Sequence, residues 1–130
     1  MQRLLLILSA VFLLIGCDDG EVTTDIVGEW ELVEVLADPG DGSGRFRSIN
    51  SDKRVRFFED GAYTSTGSIC DFSIVSEGSF NGTYTLSDSG YWITCGDSMD
   101  YSIGLRLEDG FLIVTFPCIE PCLQKFRKRN

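Results

Sequence analysis

The sequence predicts an all-β domain, a small antiparallel up-and-down β-barrel of about eight strands. Three observations lead there. From Ile26 onward apolar residues come in short runs, several of them alternating with polar residues, and no stretch carries a helical period long enough to matter. Gly, Asp, Asn and Ser punctuate these runs at spacings that suit tight connections. Two Asp-Gly pairs, Asp60-Gly61 and Asp109-Gly110, stand between apolar runs as hairpin turns should, because Asp-Gly supplies the positive φ angles of a type I′ turn. A meander of this kind disposes of its exposed edges by closing on itself. A two-sheet sandwich is the alternative architecture.

Taken in order, residues 28–37 form the first strand, with Trp30, Leu32, Val33, Val35 and Leu36 as its apolar content. Residues 38–44, Asp-Pro-Gly-Asp-Gly-Ser-Gly, are a loop by composition. A short strand is expected over 45–49. Residues 53–59 alternate, Val55 and Phe57 facing one way and Arg54 and Arg56 the other. The Asp60-Gly61 turn leads into Ala62-Tyr63. Three further strands are expected at 69–75, 83–86 and 91–95. Tyr101, Ile103, Leu105 and Leu107 alternate with Ser102, Gly104 and Arg106 as the clearest half-buried strand. After the Asp109-Gly110 turn, residues 111–116 are apolar throughout and belong at the centre of the sheet. Residues 123–128 close the chain, with Phe126 among basic residues.

The first sixteen residues lie outside this fold. Arg3 precedes an apolar run over residues 4–15, twelve residues long. That is short of the roughly 20 needed to span a hydrocarbon core and fits a signal peptide. The run ends in Leu14-Ile15-Gly16-Cys17, which resembles the lipobox of bacterial lipoproteins. The resemblance implies cleavage before Cys17, acylation of its sulfur, and a stable membrane anchor of two or three acyl chains (palmitate among them). Residues 17–25 then form an acidic tether, and residues 26–130 the domain. Asp18 and Asp19 follow the lipidated position, where an address is read. In enteric bacteria an aspartate there resembles an inner-membrane retention signal. In other Gram-negative groups an acidic cluster resembles a surface-export signal.

Apart from Cys17 there are four cysteines, Cys70, Cys95, Cys118 and Cys122. An even number in an exported small domain reads as two disulfides. Three pairings exist. Cys118–Cys122 and Cys70–Cys95 are preferred, because Cys118-Ile119-Glu120-Pro121-Cys122 looks like a hairpin loop flanked by cysteines. The other pair closes a loop of some 25 residues, a constraint of about 3 kcal/mol in the chain-entropy model. A four-thiol metal site is the rival. Zinc favours paired short-spaced cysteines, and here one such pair stands without a histidine to complete it.

Around Gly28-Glu29-Trp30 the chain resembles the lipocalin-like lipoproteins of Gram-negative bacteria. In that pattern G-x-W opens the first strand, the tryptophan closes the barrel floor, and a basic residue from beyond the last strand lies across its ring. Gly28 and Trp30 match, and Lys125, Arg127 or Lys128 is available as the cation. Phe58, Asp60, Gly61 and Tyr63, and the cysteine-bearing hairpin before Lys125-Phe126, also fit. The resemblance covers roughly residues 26–128. It implies an outer-membrane barrel that holds a small hydrophobic ligand or lipid. The chain departs from full lipocalins in its short strands. An eight-stranded barrel has room for side chains or one small ligand, and Trp30, Phe57, Tyr84, Trp92, Tyr101 and Leu107 are positioned to fill it.

Chemistry is scarce. The chain has no histidine, which excludes Ser-His-Asp and Cys-His nucleophile systems and any histidine-ligated metal. Asp60, Glu108 and Asp109 sit in turns, where solvated carboxylates are ordinary. Asp38 and Asp41 offer oxygens in a loop that lacks the ligand spacing of a calcium site. No enzyme and no cofactor are expected. Asp and Glu number 20 against 11 Lys and Arg, one of them Arg3 in the leader, for a net charge of −9. Such a balance argues against nucleic acid and against docking on anionic headgroups; it suits a basic partner, and acidity also simply keeps a small protein soluble. The basic run Arg45, Arg47, Lys53, Arg54 and Arg56 stands out against it, either paired with acids on an exposed face or contacting an anion or polysaccharide. A second functional expectation is therefore a protein-interaction module, such as an inhibitor of a lysozyme-type envelope hydrolase, a format that small disulfide-stapled lipoproteins share.

Overall fold

The computed structural model describes residues 25–96 and 101–130. The leader, the acyl site Cys17, and Asp18 and Asp19 in the tether lie outside the described residues. Every regular element described is a strand: β1 (Gly28–Ala37), β2 (Arg47–Ser48), β3 (Arg54–Phe57), β4 (Ala62–Thr66), β5 (Ser79–Thr83), β6 (Thr85–Ser87), β7 (Gly90–Cys95), β8 (Tyr101–Glu108), β9 (Phe111–Thr115) and β10 (Cys122–Lys128).

The antiparallel sheet runs β5-β4-β3-β1-β10-β9-β8-β7-β6, with β2 added to β1. Its two end strands, β5 and β6, are separated in sequence by Tyr84 alone. One bent run of chain thus serves both ends and brings the sheet to a nearly closed barrel. Tyr84 holds the bend: its N–H donates to Gly61 O at 2.8 Å and its hydroxyl to Phe58 O at 2.6 Å. Ten strands stand against about eight expected, so the barrel is somewhat larger, and the run over 79–87 counts as two strands because it divides at Tyr84.

Alternation along each strand sends one set of side chains inward. Trp30, Phe57, Ile93, Ile103, Leu112 and Phe126 are each at most 1% exposed and form the centre of the core. The lower end, where β1 begins, carries the β3–β4, β6–β7 and β8–β9 turns and both ends of the domain. There the Trp30 indole N–H donates to Ile26 O at 2.7 Å, and the Lys128 ammonium stands 5.4 Å from the ring centroid. Gly28 has φ +124°, and a Cβ there would meet Lys128 Cε at 3.0 Å. The cation on the floor tryptophan is therefore Lys128. Lys125 instead lies over Phe46, and Arg127 pairs with Glu31.

Several expectations are corrected. Residues 69–75 form no strand; they belong to a loop that plugs the upper end, with Ile69 fully buried and Cys70 and Phe72 packed against the core. Strand β5 falls instead on Ser79–Thr83, where Ser, Asn and Gly give little strand signal. The run at 45–49 shrinks to β2. The Asp109-Gly110 turn has positive φ at both residues (52° and 80°), as type I′ requires. At Asp60-Gly61 the positive φ is on Gly61 alone, and a Phe58–Gly61 hydrogen bond closes a longer loop. Trp92 points outward, because Tyr91 and Ile93 take the inward positions. Tyr101 keeps the inward parity but sits on the upper rim, its hydroxyl donating to Cys70 O at 2.7 Å.

Both disulfides join the pairs preferred on sequence grounds. Cys70–Cys95 fastens the plug to β7, with Cα atoms 5.8 Å apart, and Cys118–Cys122 closes the β9–β10 connection, with Cα atoms 6.0 Å apart.

Candidate functional site

The barrel interior is the first place to look for a site, and it is occupied. Beyond the apolar core, three polar side chains are buried in it: Ser65, whose hydroxyl donates to Gly67 O at 2.8 Å, and Lys53 and Gln124, each at most 1% exposed. The Lys53 ammonium donates to the carbonyls of Asp71 and Ser73, both at 2.8 Å, and to Gln124 Oε1 at 3.4 Å. Gln124 Nε2 donates to Phe72 O at 2.9 Å and Ser73 O at 3.1 Å. Lys53, just before β3, and Gln124 on β10 thus grip the plug by its backbone carbonyls, which satisfies groups that a loop buried on a barrel would otherwise leave unpaired. Desolvation of the ammonium lowers the Lys53 pKa to about 8, with the charge of Asp71 opposing. This corrects the reading of Lys53 as part of an exposed basic run. Its parity with Val55 and Phe57 was the available signal.

The other residues of interest on the sequence have structural employment. Asp38 accepts hydrogen bonds from the N–H groups of Gly40, Gly42 and Gly44 at 2.7, 3.1 and 2.7 Å. These bonds, from Gly44 first and Gly40 next, hold its carboxyl below the usual pKa. Amide donors converge on that carboxylate, so it organises its own loop. Asp41 does likewise for Ser43. Asp60 caps Ala62 N–H at 3.0 Å, and Glu108 receives Arg106. Asp109 supplies the left-handed turn residue.

Outside the barrel, Trp92 forms a shelf that the sequence reading missed. Its register partner on β8 is Gly104, and the ring atoms Cζ3 and Cη2 lie 3.3 and 3.5 Å from where a Cβ on that glycine would stand. The indole thus leans over a position with no side chain. Its N–H reaches Ser87 Oγ at 3.1 Å and Ser89 Oγ at 3.2 Å, which fixes the ring's orientation. Trp92 stays 36% exposed. A hollow of about 370 Å³ opens beside it, lined by Ser89, Ser102, Arg106, Thr115 and Pro117 among others. Arg106 is held there by Glu108 and Thr115, both at 3.0 Å. The shelf thus combines a fixed, solvent-facing aromatic with a rim of hydroxyls and an ion pair. A sequence signal existed in the alternation of 91–95, where Tyr91, Ile93 and Cys95 share one parity.

The opposite side of the barrel carries charge. Four strand steps separate β1 from β7 through β10, β9 and β8. On the outer face of β3, β1 and β10, register pairs set Glu29 beside Arg56 and Glu31 between Arg54 and Arg127. Arg127 and Arg129 bond to Glu31 and Glu29, and Lys125 to Glu34. The hydrogen bond from Arg127 is the main cause of a lowered pKa at Glu31.

With this geometry in view, the chain matches no family model, no curated protein and no solved structure. The architecture defines its class by itself: a nearly closed antiparallel β-barrel, stapled by two disulfides, around an apolar core.

Proposed function

We propose that the chain is a lipid-anchored, non-catalytic envelope module that engages a basic protein through the outside of its barrel, around Trp92. The observation that carries this reading is the division of polar and aromatic groups between inside and outside. Interior positions are taken by core side chains and by Lys53 and Gln124 bound to the plug, where a carrier of hydrophobic cargo needs an apolar cavity. The solvent-facing tryptophan lies outside, on a shelf flanked at its lower end by the Asp88 and Glu108-Asp109 turns. A fixed aromatic rimmed by hydroxyls and the Arg106–Glu108 pair, with the Asp88 and Asp109 carboxylates in the turns below, suits a contact with a cationic partner. Anchoring through Cys17 rests on the lipobox and on the leader before it. A hydrolase of the lysozyme type, basic and active in the envelope, is the partner class that fits.

Titration of the purified protein into a basic lysozyme tests this. Salt-sensitive, stoichiometric inhibition that Trp92→Ala removes is the expected result. No binding and no inhibition at low salt overturns it. So does a one-to-one lipid adduct in native mass spectra after mixing with envelope lipids, which returns the function to that of a carrier.

A further inference from the structure

Net charge averages over faces, and here the faces differ. Arg54, Arg56, Lys125, Arg127 and Arg129 lie on the outer side of β3, β1 and β10, against the three carboxylates Glu29, Glu31 and Glu34. Other acids border this face at its ends: Asp25 before β1, Asp38 and Asp41 in the loop after it, and Asp52, Glu59 and Asp60 in the turns beside β3. Most remaining acids lie in the loops and turns of the other strands.

We propose that this face is the side of the barrel that lies on the membrane, with its arginines among the phosphates of anionic lipid headgroups. The proposal takes its location from the anchor proposed above. The tether enters the domain at Asp25, three residues before β1, the central strand of the basic face. From Cys17 to Asp25 the chain reaches at most about 28 Å when fully extended, shorter than the roughly 33 Å of a ten-residue strand. A lipid on Cys17 therefore keeps the lower end of the barrel, where β1 begins, within reach of the headgroups. Polybasic surfaces beside an anchor are drawn to anionic lipid, and charges farther away than about 8 Å are largely screened at physiological salt. The acids on the far side thus do not cancel the attraction.

Two further observations fit a headgroup contact. Arg54 Nε is buried without a hydrogen-bond partner among the described residues, beside a hollow of about 260 Å³ that Glu29, Arg56, Thr64 and Ser79 also line. Phe58 stands outward on the same face, 36% exposed, with the Arg56 guanidinium 5.4 Å from its ring centroid. An aromatic among arginines is the composition of a surface that meets the headgroup level of a bilayer. In this orientation β7 and Trp92 face away from the membrane.

The test reads arginine reactivity. The protein as recovered from membranes is placed on vesicles of phosphatidylcholine, or of phosphatidylcholine with phosphatidylglycerol. It is then treated with phenylglyoxal and mapped by mass spectrometry. Arg56 and Arg127 should be protected on the anionic vesicles alone, and the protection should vanish at high salt. Arg106, on the Trp92 side, is an internal control with 48% of its side chain exposed against 62% for Arg127, and should react equally on both. Equal labelling of Arg56 and Arg127 on the two vesicles overturns the proposal, as does protection of Arg106 instead. Intact mass and vesicle flotation separate this from failure of the anchor. An acylated chain floats with either vesicle. A chain without acyl groups floats with phosphatidylglycerol if the basic face binds, and failure to float then overturns the proposal as well.

Discussion

Lys53 and Gln124, 71 residues apart in sequence, hydrogen-bond to one another and share the same acceptor, the carbonyl oxygen of Ser73. Lys53 stands immediately before β3 and Gln124 lies on β10, the two strands that flank β1, so a single backbone carbonyl in the plug ties both sides of the central strand to the top of the barrel. Lys53 does this as a buried cation whose pKa is depressed to about 8 from the ordinary 10.5.

That depression has a sign. Between about pH 8 and pH 10 the unfolded chain holds the Lys53 proton while the folded chain gives it up, so stability rises with pH across this window. The slope is at most about 1.4 kcal/mol per pH unit. Above pH 10 the raised pKa values of Tyr63 and Tyr84, both pushed up first by desolvation, act in the opposite direction. Urea unfolding at pH 7, 8, 9 and 10 should show the rise, and Lys53→Met should flatten it. A wild-type curve that is level or falling over this range refutes the assignment.

Gln124→Leu preserves volume and removes both amide donors, leaving Phe72 O without its hydrogen bond. The expected cost is about 1–3 kcal/mol. Because the loss falls on the plug, limited proteolysis should move to residues 67–78 before the rest of the barrel is cut.

The two disulfides differ in span, 25 residues against 4. Replacing Cys70 and Cys95 by serine should lower stability by about 3 kcal/mol, and replacing Cys118 and Cys122 by less, since the chain-entropy term grows with the loop closed. Denaturant midpoints of the two double variants give the ranking directly.

Trp30 and Trp92 should respond in opposite ways to alanine. Trp30→Ala empties the floor of the core and should cost about 3–5 kcal/mol. Trp92→Ala removes a side chain more than one third exposed and should leave the melting temperature within a few degrees, while abolishing partner capture. Gly104→Val should mimic the loss of capture, because its Cβ would press against the indole. Circular dichroism and the lysozyme titration read the two effects apart.

Much of the barrel was legible where neighbours in sequence decide the outcome. The alternation of Val55 and Phe57 with Arg54 and Arg56, and of Ile103, Leu105 and Leu107 with their polar partners, marks strands whose one face is buried. Residues 69–75 misled because Ile69, Phe72, Ile74 and Val75 carry strand-like composition, yet their backbone is satisfied by Lys53 and Gln124 from distant strands. Residues 79–83 were passed over for the converse reason, since Ser79, Asn81 and Gly82 have weak strand propensity and Gly82 is required only by the Tyr63 ring packed against it. The Trp92 shelf was hidden by treating a large aromatic as core. Its parity with Thr94 said otherwise, but the glycine that accommodates it lies on another strand.

Trp30 and Lys128 are register partners although almost the whole domain lies between them in sequence. Strand β1 therefore receives its β10 neighbour last when the chain is delivered N-terminus first. Until Cys122 and the residues after it arrive, β1 and β9 each present a bare edge, and the longest-range contact in the fold must form at the final step. A chain that stalls or is cut before β10 holds two sticky edges instead of a ring, the arrangement most prone to pairing with a second chain.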